Sequence, residues 1–180
     1  MRDIGERRRS SRWCRPGRVA TVGYAVLLAL SVGCSNIMEL SYTPERMDPG
    51  PAHRKAREVS DRLLKMAGIT GEVEEPGMRT TVCDEYGDDL FSVQHPWSVG
   101  GLTYGQVDTG MRNLRKALAE SGWKVEFQER SSEMQARNEQ EHFTVTVSAR
   151  AAPLGGKAAL DFSVYSRCYR AASHSAANEA

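Results

Sequence analysis

"HFTVTVSA", residues 142–149, alternates without interruption: Phe143, Val145, Val147 and Ala149 have one parity, Thr144, Thr146 and Ser148 the other. Successive side chains of a strand point to opposite faces, so this pattern predicts a strand with one face buried and one in water. The same pattern occurs on either side. In "WKVEFQE" (123–129), Trp123, Val125 and Phe127 oppose Lys124, Glu126 and Gln128. In "ALDFSVYSRCY" (159–169), Leu160, Phe162, Val164 and Cys168 oppose Asp161, Ser163, Tyr165, Arg167 and Tyr169, and "PLGG" (153–156) supplies a hairpin connection. Half-polar strands in succession predict an antiparallel sheet covered on one side only.

Two amphipathic helices are predicted to supply the cover. Ala56, Val59, Leu63 and Met66 recur at helical spacing between Ala52 and Ala67, and Gly68 offers a left-handed stop. The second helix starts at Thr103, with Gln106 three places on as a capping box requires. Val107, Met111, Leu114 and Leu118 form its apolar stripe and Gly122 ends it, while Gly105 and Gly110 each weaken it by about 1 kcal/mol relative to alanine. Between the helices, "MRTTVCD" (78–84) and "DLFSVQHPW" (89–97) read as short strands joined by "EYGD". Phe91, Val93, His95, Trp97 and Val99 share a face, and Pro96 points to a sheet edge or a strand end. "GEVEEPG" (71–77) reads as a break. The expected fold is a two-layer α+β sandwich of about five strands and two helices, in the order α-β-β-α-β-β-β.

The chain's first 18 residues carry seven arginines against Asp3 and Glu6, and residues 19–32 carry no charge. A basic head followed by an apolar core is how a secretory signal is built. Leu30, Ser31, Val32, Gly33 and Cys34 then resemble the lipobox of bacterial lipoproteins. In that family the cysteine thiol receives a diacylglycerol and a peptidase cuts just before it. The resemblance thus implies a signal peptide over 1–33 and lipid attachment at Cys34. It departs from the family at Ser31, where leucine is preferred. The alternative is an uncleaved span, since residues 19–38 form a run of 20 without charge, about the length a helix needs to cross a bilayer. Both readings place the rest of the chain on the extracytoplasmic side of the cell membrane. Arg8-Arg9 raises twin-arginine export, but "SSRW" after it lacks the apolar residue that motif expects. Residues 34–51, rich in proline, read as a flexible tether, 52–170 as the folded domain and 171–180 as a disordered tail.

The whole chain has 24 basic and 23 acidic residues. Residues 1–33 hold seven of the former and two of the latter, which leaves 17 against 21 and a net charge of about −4. Nucleic acid is therefore not an expected partner. Apart from Cys14 in the head and Cys34, two cysteines remain, Cys83 and Cys168. An even pair in an oxidising compartment reads as a disulfide. No CxxC and no histidine at ligand spacing supports a redox pair or a metal site. The signal with its cysteine, the tether, "SGWKV" (121–125) after a helix, and the late Cys168-Tyr169 together look like small actinobacterial lipoproteins. That resemblance implies a location and a fold, and no reaction.

Several residues are candidate sites. Asp84, Glu85, Asp88 and Asp89 flank Gly87 as a solvated turn or a cation site without the EF-hand pattern. His95 reads as a hydrogen-bonded core or rim histidine rather than a base. Trp97, Tyr104 and Trp123 are candidates for a ligand groove or for ordinary core. Tyr165, Arg167 and Tyr169 are candidates for an interaction surface, since Tyr and Arg are common interface anchors, or for a solvated face. No linear catalytic, cofactor-binding or metal-binding motif occurs, so no catalytic residue, cofactor or metal is nominated. The leading expectation is a membrane-anchored, non-enzymatic module that binds an envelope protein or cell-wall component through the open sheet face. The competing class is a hydrolase of envelope substrates whose site only folding assembles.

Overall fold

The computed structural model describes residues 40–83, 86, 89–127, 132–151 and 157–172. Cys34 and the apolar run before it, the acids Asp84, Glu85 and Asp88, the "PLGG" connection and the tail from 173 lie outside these residues. The described elements are α1 (Pro49–Ala67), β1 (Glu72–Glu74), β2 (Arg79–Val82), β3 (Leu90–Leu102), α2 (Tyr104–Glu120), β4 (Lys124–Phe127), β5 (Glu133–Asn138), β6 (Phe143–Arg150), β7 (Ala158–Ser166) and β8 (Tyr169–Arg170). The eight strands form one antiparallel sheet in the order β1-β3-β7-β6-β5-β4, with β2 and β8 also paired to β3. Helix α1 packs on β3 and β7, and α2 on β7 and β4. The two-layer α+β class is as expected, but the strand number and order are not.

The helices form for the reasons their sequences give. In α2, the Gln106 amide donates to Thr103 Oγ1 at 3.2 Å and the Thr103 amide donates to Gln106 Oε1 at 2.9 Å, closing the capping box. Val107, Leu114 and Leu118 are buried with Gly110. That glycine has a packing reason: a Cβ there would stand 2.9 Å from Leu160 and 3.1 Å from Ile69. Its absence lets α2 lie close on β7. Helix α1 starts at Pro49, three residues before the expected start, with proline in its first turn, and stops where Gly68 turns left-handed at φ 61°.

Three departures enlarge the sheet. Strand β5 is absent from the sequence reading because its inward residues are Met134, Ala136 and Asn138, too mixed to show alternation. Strand β1 lies inside the stretch read as a break; it is three residues long and two of them are glutamate. Strand β3 runs through Pro96 to Leu102 instead of ending there. Strands β2 and β1 pair with residues 91–94 and 98–100 of β3, which leaves His95, Pro96 and Trp97 without a strand partner on that edge among the described residues. A residue with no N–H to donate fits that gap.

The last departure changes a predicted face. The strand expected over 159–169 breaks at Arg167 and Cys168. Gln94 pairs with Tyr165 and Phe91 with Tyr169, so three steps along β3 match four along the partner. One extra residue flips every later side chain to the other face. Tyr169, expected on the polar side, is therefore 2% exposed against Phe91, and Cys168 is half-buried. The segment before α1 is held by this strand end as well. Met47 donates to the Arg170 carbonyl at 3.0 Å, Arg170 to that of Glu45 at 2.9 Å, and the Cys168 amide to Tyr42 Oη at 2.9 Å. Ordered structure thus begins ahead of residue 52, inside the stretch read as tether.

Candidate functional site

The core face of the sheet is filled by Phe91, Val93, Val99, Phe143, Val145, Val147, Leu160 and Val164 beneath the helices. Trp97 and Trp123 belong to the same core, at 4% and 7% exposure. Trp97 stacks on Phe162 with ring centroids 3.9 Å apart and planes 4° apart. Tyr104 is exposed on the first turn of α2, and Trp123 precedes β4 at the sheet edge opposite β1, with β7, β6 and β5 between it and the strand of Trp97. The three aromatics read as a candidate groove do not converge.

His95 is fully buried, and its Nδ1 lies 2.7 Å from Ser60 Oγ, which also donates toward the Ala56 carbonyl at 3.1 Å. Its Nε2 has no partner among the described residues. Ser60 is only 4% exposed, so this serine–histidine pair is closed to a substrate. Burial holds the His95 pKa below the ordinary histidine value, and the Arg57 guanidinium adds to that against Glu75 and Asp61. Burial lowers His53 too, whose Nε2 lies 2.9 Å from Thr80 Oγ1. The sign follows. Above about pH 6.5 both states are neutral at these positions, and below it the unfolded chain binds protons that the fold refuses. Stability is expected to be level above neutrality and to fall as pH drops below about 6.5, by at most about 1.4 kcal/mol per pH unit for His95 and by less for the more solvent-screened His53. Urea denaturation from pH 5 to 8 checks this, and His95→Gln should flatten the fall. An unchanged slope in that variant would contradict the assignment to His95.

Cys83 and Cys168 form a disulfide across 85 residues, with Cα atoms 6.5 Å apart. Near it, Arg167 pairs with Glu139 and sits over the Tyr42 ring at 4.9 Å, and Asp89 pairs with Arg170. Burial pushes the Tyr169 hydroxyl up to about 12, and this hydroxyl has no partner among the described residues. Of the three residues read as an interaction surface, Tyr165 is 40% exposed on the open face, Arg167 is held in this cluster and Tyr169 is core. Among the described residues no group of three histidine, cysteine or acidic side chains is placed to hold a metal ion, and no helix is long and apolar enough to cross a membrane.

No helix covers the other face of the sheet among the described residues, and its register sorts the side chains into rows. One row runs Glu74, Ser98, Asp161, Ser148, Glu133 across β1, β3, β7, β6 and β5. The next is Pro96, Ser163, Thr146, Gln135, Glu126. The third is Arg79, Gln94, Tyr165, Thr144, Arg137, Lys124. The face is therefore acidic along one line, hydroxyl- and amide-rich in the middle, and basic along the other. Within it, Arg150 grips Asp161 with two bonds of 2.9 and 3.0 Å, Ser148 donates to Glu133 at 3.3 Å, and Gln94 Nε2 donates to Tyr165 Oη at 3.1 Å. The Asp161 carboxylate holds the Arg150 pKa above its ordinary value. A groove of about 620 Å³ opens at the acidic corner, where Glu74, Glu75 and Asp161 line it together with Pro76, Pro96, Trp97, Ser98, Phe162 and Ser163. Two smaller hollows flank α1, one of about 330 Å³ beside Lys55, Arg62 and Glu141 and one of about 560 Å³ beside His53, Arg54 and Met78. Sequence reasoning reached Tyr165 but not Glu133, Gln135 or Arg137, which ride on the unrecognised strand β5. No protein-family model, no curated protein and no solved structure matches this chain.

Proposed function

We propose that this chain is an exported, membrane-attached binding module, lipid-anchored at Cys34, that recognises an envelope protein or cell-wall component through its open sheet face. The carrying observation is that face: three in-register rows of acidic, hydroxyl–amide and basic side chains with Tyr165 among them. The Cys83–Cys168 disulfide supports an extracytoplasmic address, because such bonds persist in oxidising compartments. The tether is short, since Cys34 precedes Tyr42, already bonded to the Cys168 amide, by 8 residues, a reach of at most about 29 Å. The face therefore works close to the membrane surface. The hydrolase reading gains nothing from the buried Ser60–His95 pair.

Two substitutions test the reading. Cys34→Ala should abolish lipid labelling and move the protein out of the membrane fraction; unchanged labelling would refute Cys34 as the attachment site. For the face, Thr146→Cys and Lys116→Cys are compared in intact cells and in dilute purified protein for labelling by a bulky polymer-linked maleimide, too large to enter between two surfaces that a small maleimide can reach. Thr146 sits mid-face, and Lys116 lies on the exposed side of α2. A thiol at 146 shielded in cells and reactive after purification, with the one at 116 reactive in both, is the expected outcome. Equal reactivity of the two in cells would argue against an occupied face.

A further inference from the structure

We infer that the partner of the open sheet face is a second copy of the same chain, an assignment that rests on the binding-face reading above. Charge complementarity within one surface carries the assignment. The acidic and basic rows are four residues apart along each strand, about 13 Å, too far for Glu133 to pair with Arg137 of its own strand. Now let a two-fold axis lie in the interface and run across the strands along the Pro96, Ser163, Thr146, Gln135, Glu126 row. It turns the strand direction over and keeps each strand's place in the sheet order, so the acidic row of one copy meets the basic row of the other.

The matches then follow the register strand by strand. Glu74 on β1 faces Arg79 on β2, because β1 and β2 occupy the same edge of β3 on either side of Pro96. Ser98 faces Gln94, Asp161 faces Tyr165, Ser148 faces Thr144, and Glu133 faces Arg137. The two-fold doubles each pairing, so four ion pairs close around a centre of hydroxyls and amides and outweigh the one like-charge contact, Glu126 against Glu126 at the β4 edge. An isologous contact needs this self-complementarity, and a surface of one sign would not supply it. Sheets packed face to face stand about 10 Å apart with strand directions within about 30°, which suits opposed glutamate and arginine side chains. The other two-fold, along the strands, would set acid against acid. The face is small, on the order of 500 Å² per copy, below the roughly 800 Å² of a standard interface. The pair is therefore weak in dilute solution and forms where two anchored copies share one membrane, which raises their effective concentration. Its exposed ion pairs make it salt-sensitive.

The test uses the full chain in its own membranes. Thr146 lies on the axis and meets its own copy, so Thr146→Cys should give a covalent dimer with a bismaleimide spanning about 10 Å. The same chain without that substitution is the control for Cys34. Arg137→Glu or Glu133→Arg in the Thr146→Cys background should each cut dimer yield by about tenfold, because like charges then oppose. Both residues are exposed, so the fold should hold, and circular dichroism checks that it does. Co-expressing the two charge variants should restore the yield, since the Arg137→Glu chain and the Glu133→Arg chain complement each other and not themselves. Yields unaffected by either charge variant, or no rescue on mixing, would overturn the two-fold pairing. No dimer with the thiol at 146 still shielded in cells would overturn the second copy and leave the binding face standing. No dimer with that thiol freely labelled would overturn both.

Discussion

Replacing Cys83 and Cys168 together by alanine is expected to cost about 4 kcal/mol of stability, a large part of what a domain of this size has. The disulfide closes 85 residues, and in the chain-entropy account most of its effect is on the unfolded chain, which it forbids from expanding. Its position adds a local effect. Cys168 lies between β7 and β8, and that turn carries the amide that Tyr42 accepts from, the Arg167 cation over the Tyr42 ring and the start of the Arg170 pairing with Glu45. Without the bond, β8 and residues 42–47 should lose amide protection before the centre of the sheet does. Guanidinium denaturation of the oxidised wild type and the double variant, with hydrogen exchange on both, measures each part. A loss under about 1 kcal/mol would mean that the reduced chain is nearly as constrained as the oxidised one.

Phe162→Ala is expected to destabilise by a similar amount, about 4 kcal/mol. Phe162 is 2% exposed on β7, between β3 and β6. It lies parallel to Trp97, opposite it in the register, and its removal opens a cavity next to that indole. The Trp97 Nε1–H is already buried without a partner among the described residues, so the site holds by packing alone. Phe162→Leu keeps most of the volume and should cost less than half as much. Thermal and urea denaturation of the two variants give the comparison. Equal losses in both would show that ring stacking rather than volume carries the contact.

How far the sequence reached depends on how local each signal was. The capping box of α2, its stripe ending at Leu118 and the alternation of 143–149 are local patterns, and each lies where it was expected. Strand β5 was illegible because Ala136 and Asn138 face inward, where large apolar residues would have shown a period. Asn138 is there for the turn: its Oδ1 accepts the amides of Gln140 and Glu141, both at 2.9 Å. Tyr169 was misplaced because alternation counts residues and knows nothing of a bulge. The disulfide was legible because the export signal sets Cys14 and Cys34 aside and leaves one pair, Cys83 and Cys168, for an oxidising compartment. The charged rows were not, for a different reason. Glu133, Asp161 and Glu74 are far apart in the chain and become a line only once the order β1-β3-β7-β6-β5 and its register are known. A sheet face is written across strands, and a sequence is read along them.

The most direct measurement is site-specific photo-crosslinking in intact membranes, with a photoreactive residue at Thr146 on the open face and, separately, at Lys116 on α2. The central claim is that the open face is the contact surface and a second copy its occupant. It requires a strong adduct from position 146 at twice the monomer mass and little or none from 116. Adducts from 116 with none from 146 would contradict it, because the contact surface would then be the helical layer.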